Sequence, residues 1–247
     1  MWPIRTARGL AACLGRGLAA GLLGLCWTAA EAVVISPVLV EISPTRRVAS
    51  ITVSNSDDSP ISFQTQVLSW QQVEGVDQYA QTRQLVVVPP IAEIAAGGSQ
   101  IFRVTTRLPP GPQETAFRLI LEDVTQLATP ATGADAMQVV LRVNHNLPVF
   151  FAAAETTPST PRISVCPKAQ VTGRRCVRIE NVGNRYLAVK SLTLASGPWH
   201  QDLRVSGRVL AGAWKQWEFD LPDHLDGDLE VSAQTSSGLI SATLPAH

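Results

Sequence analysis

Residues 49–70 read ASITVSNSDDSPISFQTQVLSW, and the fold class turns on this stretch. Ala49, Ile51 and Val53 alternate with Ser50, Thr52 and Ser54. The polar cluster Asn55-Ser56-Asp57-Asp58-Ser59-Pro60 ends that run, and Ile61, Phe63, Thr65 and Val67 then alternate again up to Trp70. An extended chain turns successive side chains to opposite faces, so period two with one apolar set marks a half-buried strand. Serine, aspartate and proline between the runs supply the turn.

The same pattern continues outward. Residues 85–88 are a short apolar run stopped by Pro89-Pro90, residues 100–105 follow Gly97-Gly98, and residues 116–124 follow Pro109-Pro110-Gly111. Residues 137–143 alternate once more and run on to Phe151. About seven runs between residues 33 and 153 suit one immunoglobulin-like β-sandwich. Residues 154–161 shift to small, polar and proline residues, the composition of a linker. Beyond it, residues 162–165, 175–180, 187–194, 203–209, 216–219, 229–233 and 239–244 read as a second set of strands. Turn signals at Gly183, Gly197-Pro198 and Gly227 separate several of them. The chain is therefore expected to be all-β, with immunoglobulin-like β-sandwich domains at 33–153 and 162–247. The two sets do not repeat one another in sequence.

Residues 1–32 stand apart. Arg5, Arg8 and Arg16 precede an apolar run over residues 18–27, and Ala30-Glu31-Ala32 closes the segment. A charged start, a short apolar core and an A-x-A site read as a secretory signal peptide, with the mature chain starting near Val33. The run is shorter than the roughly 20 residues a membrane span needs. Without this segment 17 basic residues face 19 acidic ones, a formal charge of −2, and no basic cluster exists to meet phosphates. Cys13 and Cys26 leave with the signal. Cys166 and Cys176 remain in a chain bound for an oxidising compartment, where a disulfide is the default.

Catalytic and metal chemistry find little footing. His145, His200, His224 and His247 are dispersed, whereas zinc or copper needs several ligands converging. No glycine-rich phosphate loop and no G-x-S-x-G elbow occurs. Glu122 and Asp123 are adjacent in a strand and point to opposite faces, which disfavours an acid–base pair. Neither an enzyme nor a cofactor is expected.

Five segments then occur in a telling order: residues 42–55 (ISPTRRVASITVSN), 89–97 (PPIAEIAAG), 100–104 (QIFRV), 117–123 (FRLILED) and 147–151 (LPVFF). In order and spacing they resemble the successive signatures of PapD-like periplasmic pilus chaperones. The form of residues 148–151 and the aromatic-poor linker look more like the archaic, or sigma, branch. The resemblance implies two immunoglobulin-like domains, a periplasmic location, and pilus (fimbrial) subunits and an outer-membrane usher as partners. It also implies donation of the last first-domain strand to an incomplete subunit by β-augmentation. Both the sandwich and the donated strand are general properties ascribed to such chaperones.

On that resemblance Met137, Val139, Leu141 and Val143 supply the donated apolar row. By period alone the same row is equally a core face. An exposed apolar row aggregates, so the free protein is expected to shield it, self-association being one way. The family anchors the subunit's terminal carboxylate with two basic residues, yet Leu39 and Asn146 stand at those places here. Arg103 and Arg118, in strands expected to line one sheet, are the replacement candidates; an internal salt bridge or a solvated edge explains them as well. Arg103 with Pro90 and Ile91 also resembles the surface that meets the usher. The competing reading is a structural or adhesive surface protein of immunoglobulin-like domains.

Overall fold

The computed structural model describes residues 33–125, 142–157, 161–166, 174–220 and 227–245. The signal segment and Met137, Val139 and Leu141 lie outside the described residues. Every regular element described is a β-strand, and no described helix is long and apolar enough to cross a membrane.

The first sandwich pairs two sheets. One has four strands in the order β1 (Val33–Ser36), β3 (Val48–Asn55), β8 (Ser99–Thr106) and β6 (Leu85–Val88). The other has six: β2 (Val40–Ile42), β10 (His145–Phe151), β9 (Thr115–Asp123), β4 (Ile61–Val73) and β5 (Val76–Gln81), with β7 (Ile91–Ile94) also on β4. The alternation read in residues 49–70 is what fills the space between them. Ile51 and Val53 of β3, Phe63 of β4, Phe102 and Val104 of β8, and Phe117, Leu119 and Leu121 of β9 are all buried in one core. Each such side chain contributes roughly 1.5–3 kcal/mol of apolar burial.

The opening strand changes sheets. β1 pairs antiparallel with β3, and after a short break β2 pairs parallel with β10, Val40 to Ile42 lying beside Val149 to Phe151. The other edge of β10 pairs with β9 along its whole length. On the β2 side, residues 145–148 have no strand partner among the described residues.

The second sandwich packs β11 (Pro161–Val165), β12 (Arg174–Asn181) and β16 (Trp214–Asp220) against β14 (Trp199–Leu203), β13 (Leu187–Ser196), β17 (Leu229–Thr235) and β18 (Gly238–Leu244), with β15 (Gly207–Val209) on β13. Val177, Ile179, Leu187, Leu192, Leu194 and Val231 form its core. A Cys166–Cys176 disulfide closes the β11–β12 hairpin, with Cα atoms 5.4 Å apart.

Sequence repetition is absent, but one device recurs in both halves. Asn55 ends β3 with its Nδ2 donating to the carbonyls of Ser59, Ile94 and Ala95, while its Oδ1 accepts from the Asp57 amide. Asn181 ends β12 with Nδ2 donating to Arg185, Val209 and Leu210, and Oδ1 accepting from the Gly183 amide. Both are buried, so each amide satisfies turn carbonyls that water does not reach.

Three expectations need correction. The run over 203–209 breaks into β14 and β15, because Leu203 pairs with Leu192 while Val209 turns back to pair with Leu187. The ladder of β10 begins at His145; residues 142–144 precede it without pairing, so Val143 is not a described strand residue. Arg103 and Arg118 do not share a sheet: β8 lies between β3 and β6, whereas β9 lies between β4 and β10.

Candidate functional site

Core residues on β9 alternate with Ala116, Arg118, Ile120 and Glu122, which therefore face outward from the six-stranded sheet. Register places Arg118 between Pro148 of β10 and Leu68 of β4, one row from Ala116, which lies between Phe150 and Trp70. That second row meets the other sandwich. Trp70, Ala116, Phe150 and Leu210 form a buried cluster with Leu39, Tyr186 and Ala213 packed on it. The Phe150 and Tyr186 rings stack, centroids 4.0 Å apart and 17° from parallel.

Leu39 is thus an apolar element of the junction, and Asn146 is exposed on β10 opposite Ile120. Arg118 stands one row from Asn146, opposite Pro148, and over the ring of Trp70, whose cluster Leu39 packs against. Its guanidinium lies 3.8 Å from the Trp70 ring centroid and 5.9 Å from that of Tyr79. Its Nε is buried and makes no hydrogen bond. A desolvated donor without an acceptor costs about 1–3 kcal/mol, so an incoming anion has something to recover.

The junction is tied by polar contacts that no local pattern in the sequence announces. Trp70 Nε1 donates to Asp77 Oδ1 at 2.9 Å, Gln72 Nε2 donates to the same oxygen at 2.7 Å, and Lys215 Nζ lies 2.7 Å from Asp77 Oδ2. Burial pushes the Asp77 carboxyl up, but the Lys215 ammonium and the bonds from Gln72 and Trp70 outweigh it and hold it below the ordinary value. Gln72 also donates to the Arg208 carbonyl and accepts from the Leu210 amide. The β4–β5 turn reaches across too. Glu74 and Gly75 both have positive φ, the geometry of a tight two-residue hairpin, and a Cβ on Gly75 would collide with the Trp214 ring. Trp214 carries the Arg178 guanidinium 3.7 Å from its centroid.

On the far side of the junction the Glu114 side chain is 3% exposed; its Oε1 accepts from the Tyr186 amide at 2.8 Å and its Oε2 lies 3.7 Å from Arg185 Nε. Arg185 also reaches Glu41 at 3.1 Å. Burial raises the Glu114 pKa to about 7; the Tyr186 amide and Arg185 pull it down, while Glu41 adds to the rise.

Arg103 stands elsewhere. It is exposed on the outer face of the four-stranded sheet, between Ser50 and Val88. Val88, its partner in register, and Ile101, two residues along β8, are exposed beside it; Pro90 and Ile91 are exposed as well, Ile91 on β7 of the other sheet. Val143 is 51% exposed. Glu122 lines a groove of about 620 Å³ with Gln64, Gln66, Gln81 and Arg83, whereas Asp123 bonds Thr125. Among the described residues no group of three metal-ligating side chains converges.

A family model described as the pili and flagellar-assembly chaperone, PapD N-terminal domain, matches residues 32–156. No curated protein matches the chain in sequence. Among solved structures, one similar chain belongs to the CsuC–CsuE chaperone–tip adhesion subunit pre-assembly complex of archaic chaperone-usher Csu pili from Acinetobacter baumannii. It has 17% identity and a TM-score of 0.65, with 86% of this chain and 97% of that one covered. The YadV chaperone gives 14% identity and 0.61, covering 87% and 100%. The complex of SafA pilin with the SafB chaperone from Salmonella enterica gives 18% and 0.58, covering 86% and 96%. At these identities the likeness establishes the fold: two β-sandwiches joined as in those proteins.

Proposed function

The chain belongs to the pili and flagellar-assembly chaperone family, and from that premise we propose that it is an exported, periplasmic chaperone that holds pilus subunits and passes them to an outer-membrane usher. The observation that carries this reading is the open edge of β10. Among the described residues, 145–148 have no strand partner on the β2 side, and Arg118 stands in the adjoining row of the same sheet. An unpaired strand edge is a template for another chain, and extended segments bind such edges through main-chain bonds.

Met137, Val139, Leu141 and Val143 precede that edge in period two, and we assign them as the row that fills a subunit's groove. Val143 is the one of the four whose exposure is described, and it faces solvent. Arg118, not Arg103, is assigned as the carboxylate anchor, since it lies over Trp70, whose cluster includes Leu39, one row from Asn146, and its Nε makes no hydrogen bond. Arg103 with Pro90 and Ile91 is assigned to the usher. The domains are residues 33–153 and 162–247, following a signal over 1–32. Holding a subunit in this way breaks no covalent bond, so the role is not enzymatic. The likeness to CsuC–CsuE supports the archaic branch.

Periplasmic co-expression with a pilus subunit of the archaic type tests the reading. A one-to-one periplasmic complex, lost in Leu141→Glu while the chaperone still unfolds at the wild-type temperature, is the expected result. Unfolding of the first domain by that substitution would make the row a core face. Recovery of the protein as a surface-displayed polymer would favour a structural protein instead.

A further inference from the structure

The indole under Arg118 is not a passive neighbour. A guanidinium over a ring is held by cation–π attraction and by stacking, yet the ring offers no acceptor to the Nε–H. That donor stays unpaired while the group's orientation is fixed. The platform is itself clamped. Rotation of the Trp70 ring would break its 2.9 Å bond to Asp77, and Asp77 is held by Gln72 and by Lys215, which lies 138 residues away on β16. Gln72 binds the backbone of the second sandwich at both its amide atoms.

We propose that Trp70 and Asp77 are positioning residues for the anchor: Trp70 is the platform that presents the Arg118 donor to a terminal carboxylate, and Asp77 locks it through Lys215 to the second domain. Capture of the carboxylate and docking of the two sandwiches are then coupled, each favouring the other, as two linked equilibria must. The inference rests on Arg118 being the anchor.

The test uses two synthetic peptides of alternating valine and threonine, identical except that one ends in a free carboxylate and the other in an amide. Calorimetry gives the ratio of their affinities for the purified full-length mature protein. Wild type should favour the acid by about tenfold or more, the range of a charge-assisted hydrogen bond. Arg118→Ala should bring the ratio near one. Trp70→Leu should lower it by about threefold to thirtyfold, the span of cation–π contacts. Trp70→Phe, which keeps a ring but loses the N–H, should fall between. Asp77→Leu should lower the ratio, and Asp77→Asn, which retains an acceptor for the indole, should restore part of it.

A merely structural lesion lowers binding of both peptides alike and leaves the ratio in place. If Trp70→Leu fails to fold by circular dichroism, Trp70→Phe and Asp77→Leu decide the matter. A wild-type ratio of one overturns the Arg118 assignment and this inference with it. A ratio abolished by Arg118→Ala but unchanged in the Trp70 and Asp77 variants overturns the inference alone.

Discussion

Glu114→Gln isolates one titration at the domain junction. Its carboxyl titrates near 7 in the folded chain, against an ordinary 4.5. Between those two pH values the folded state binds the extra proton and the unfolded state does not, so stability must rise as pH falls from 7 towards 4.5. Every pH unit separating the folded and unfolded titrations corresponds to about 1.36 kcal/mol, which puts the full effect at up to about 3 kcal/mol. Glutamine keeps an oxygen for the Tyr186 amide and removes the titration together with the charge facing Arg185 and Glu41. His145 works in the opposite sense. Burial lowers its pKa, partly countered by Asp123, so its contribution is lost as pH drops through the ordinary histidine range. It is common to both proteins and cancels in their difference. Urea unfolding of wild type and variant between about pH 8 and about pH 4.5 gives that difference. Wild type should gain on the variant steadily as the solution is acidified. A difference that stays flat across the window would refute the argument.

Other perturbations have equally definite outcomes. Asn55→Ala and Asn181→Ala each orphan buried carbonyls and should cost about 2–4 kcal/mol in urea unfolding; an effect below about 0.5 kcal/mol would mean that water replaces the amide. Gly75→Ala adds left-handed strain and a collision with Trp214, about 1–3 kcal/mol together. In a double-mutant cycle Trp214→Ala should relieve part of that penalty, and strict additivity would place the hairpin away from the ring. Reducing the Cys166–Cys176 bond should lower stability by about 2–3 kcal/mol, measured as a change in the urea midpoint with and without reductant.

The sequence disclosed what is local. Alternation at Ala49 to Val53 and at Ile61 to Val67 marks strands because each residue's face is set by its neighbours two places away. Short strands escaped that rule. Val40–Ile42 is too brief to show a period, Val76–Gln81 is exposed along one hairpin arm, and Ile91–Ile94 follows two prolines. The candidate site was legible in part. Arg118 could be named, but its separation from Arg103 depends on which strands pair, and pairing partners lie far apart in the chain. Asp77 with Lys215 and Glu114 with Arg185 join residues from different domains, so no spacing hints at them. Trp70 read as the end of a strand, and its service to Arg118 follows from the register of β4 against β9.

The change of sheet between β1 and β2 also has a mechanical side. β10 is gripped on one flank by β9 over seven residues and on the other by β2 over three. Tension applied to the segment before β10 runs along the strand axis. The bonds on both flanks must then shear together instead of unzipping one by one. The pull passes through β2 into β1, and from there into the opposite sheet, so the whole first sandwich bears a load applied at its edge.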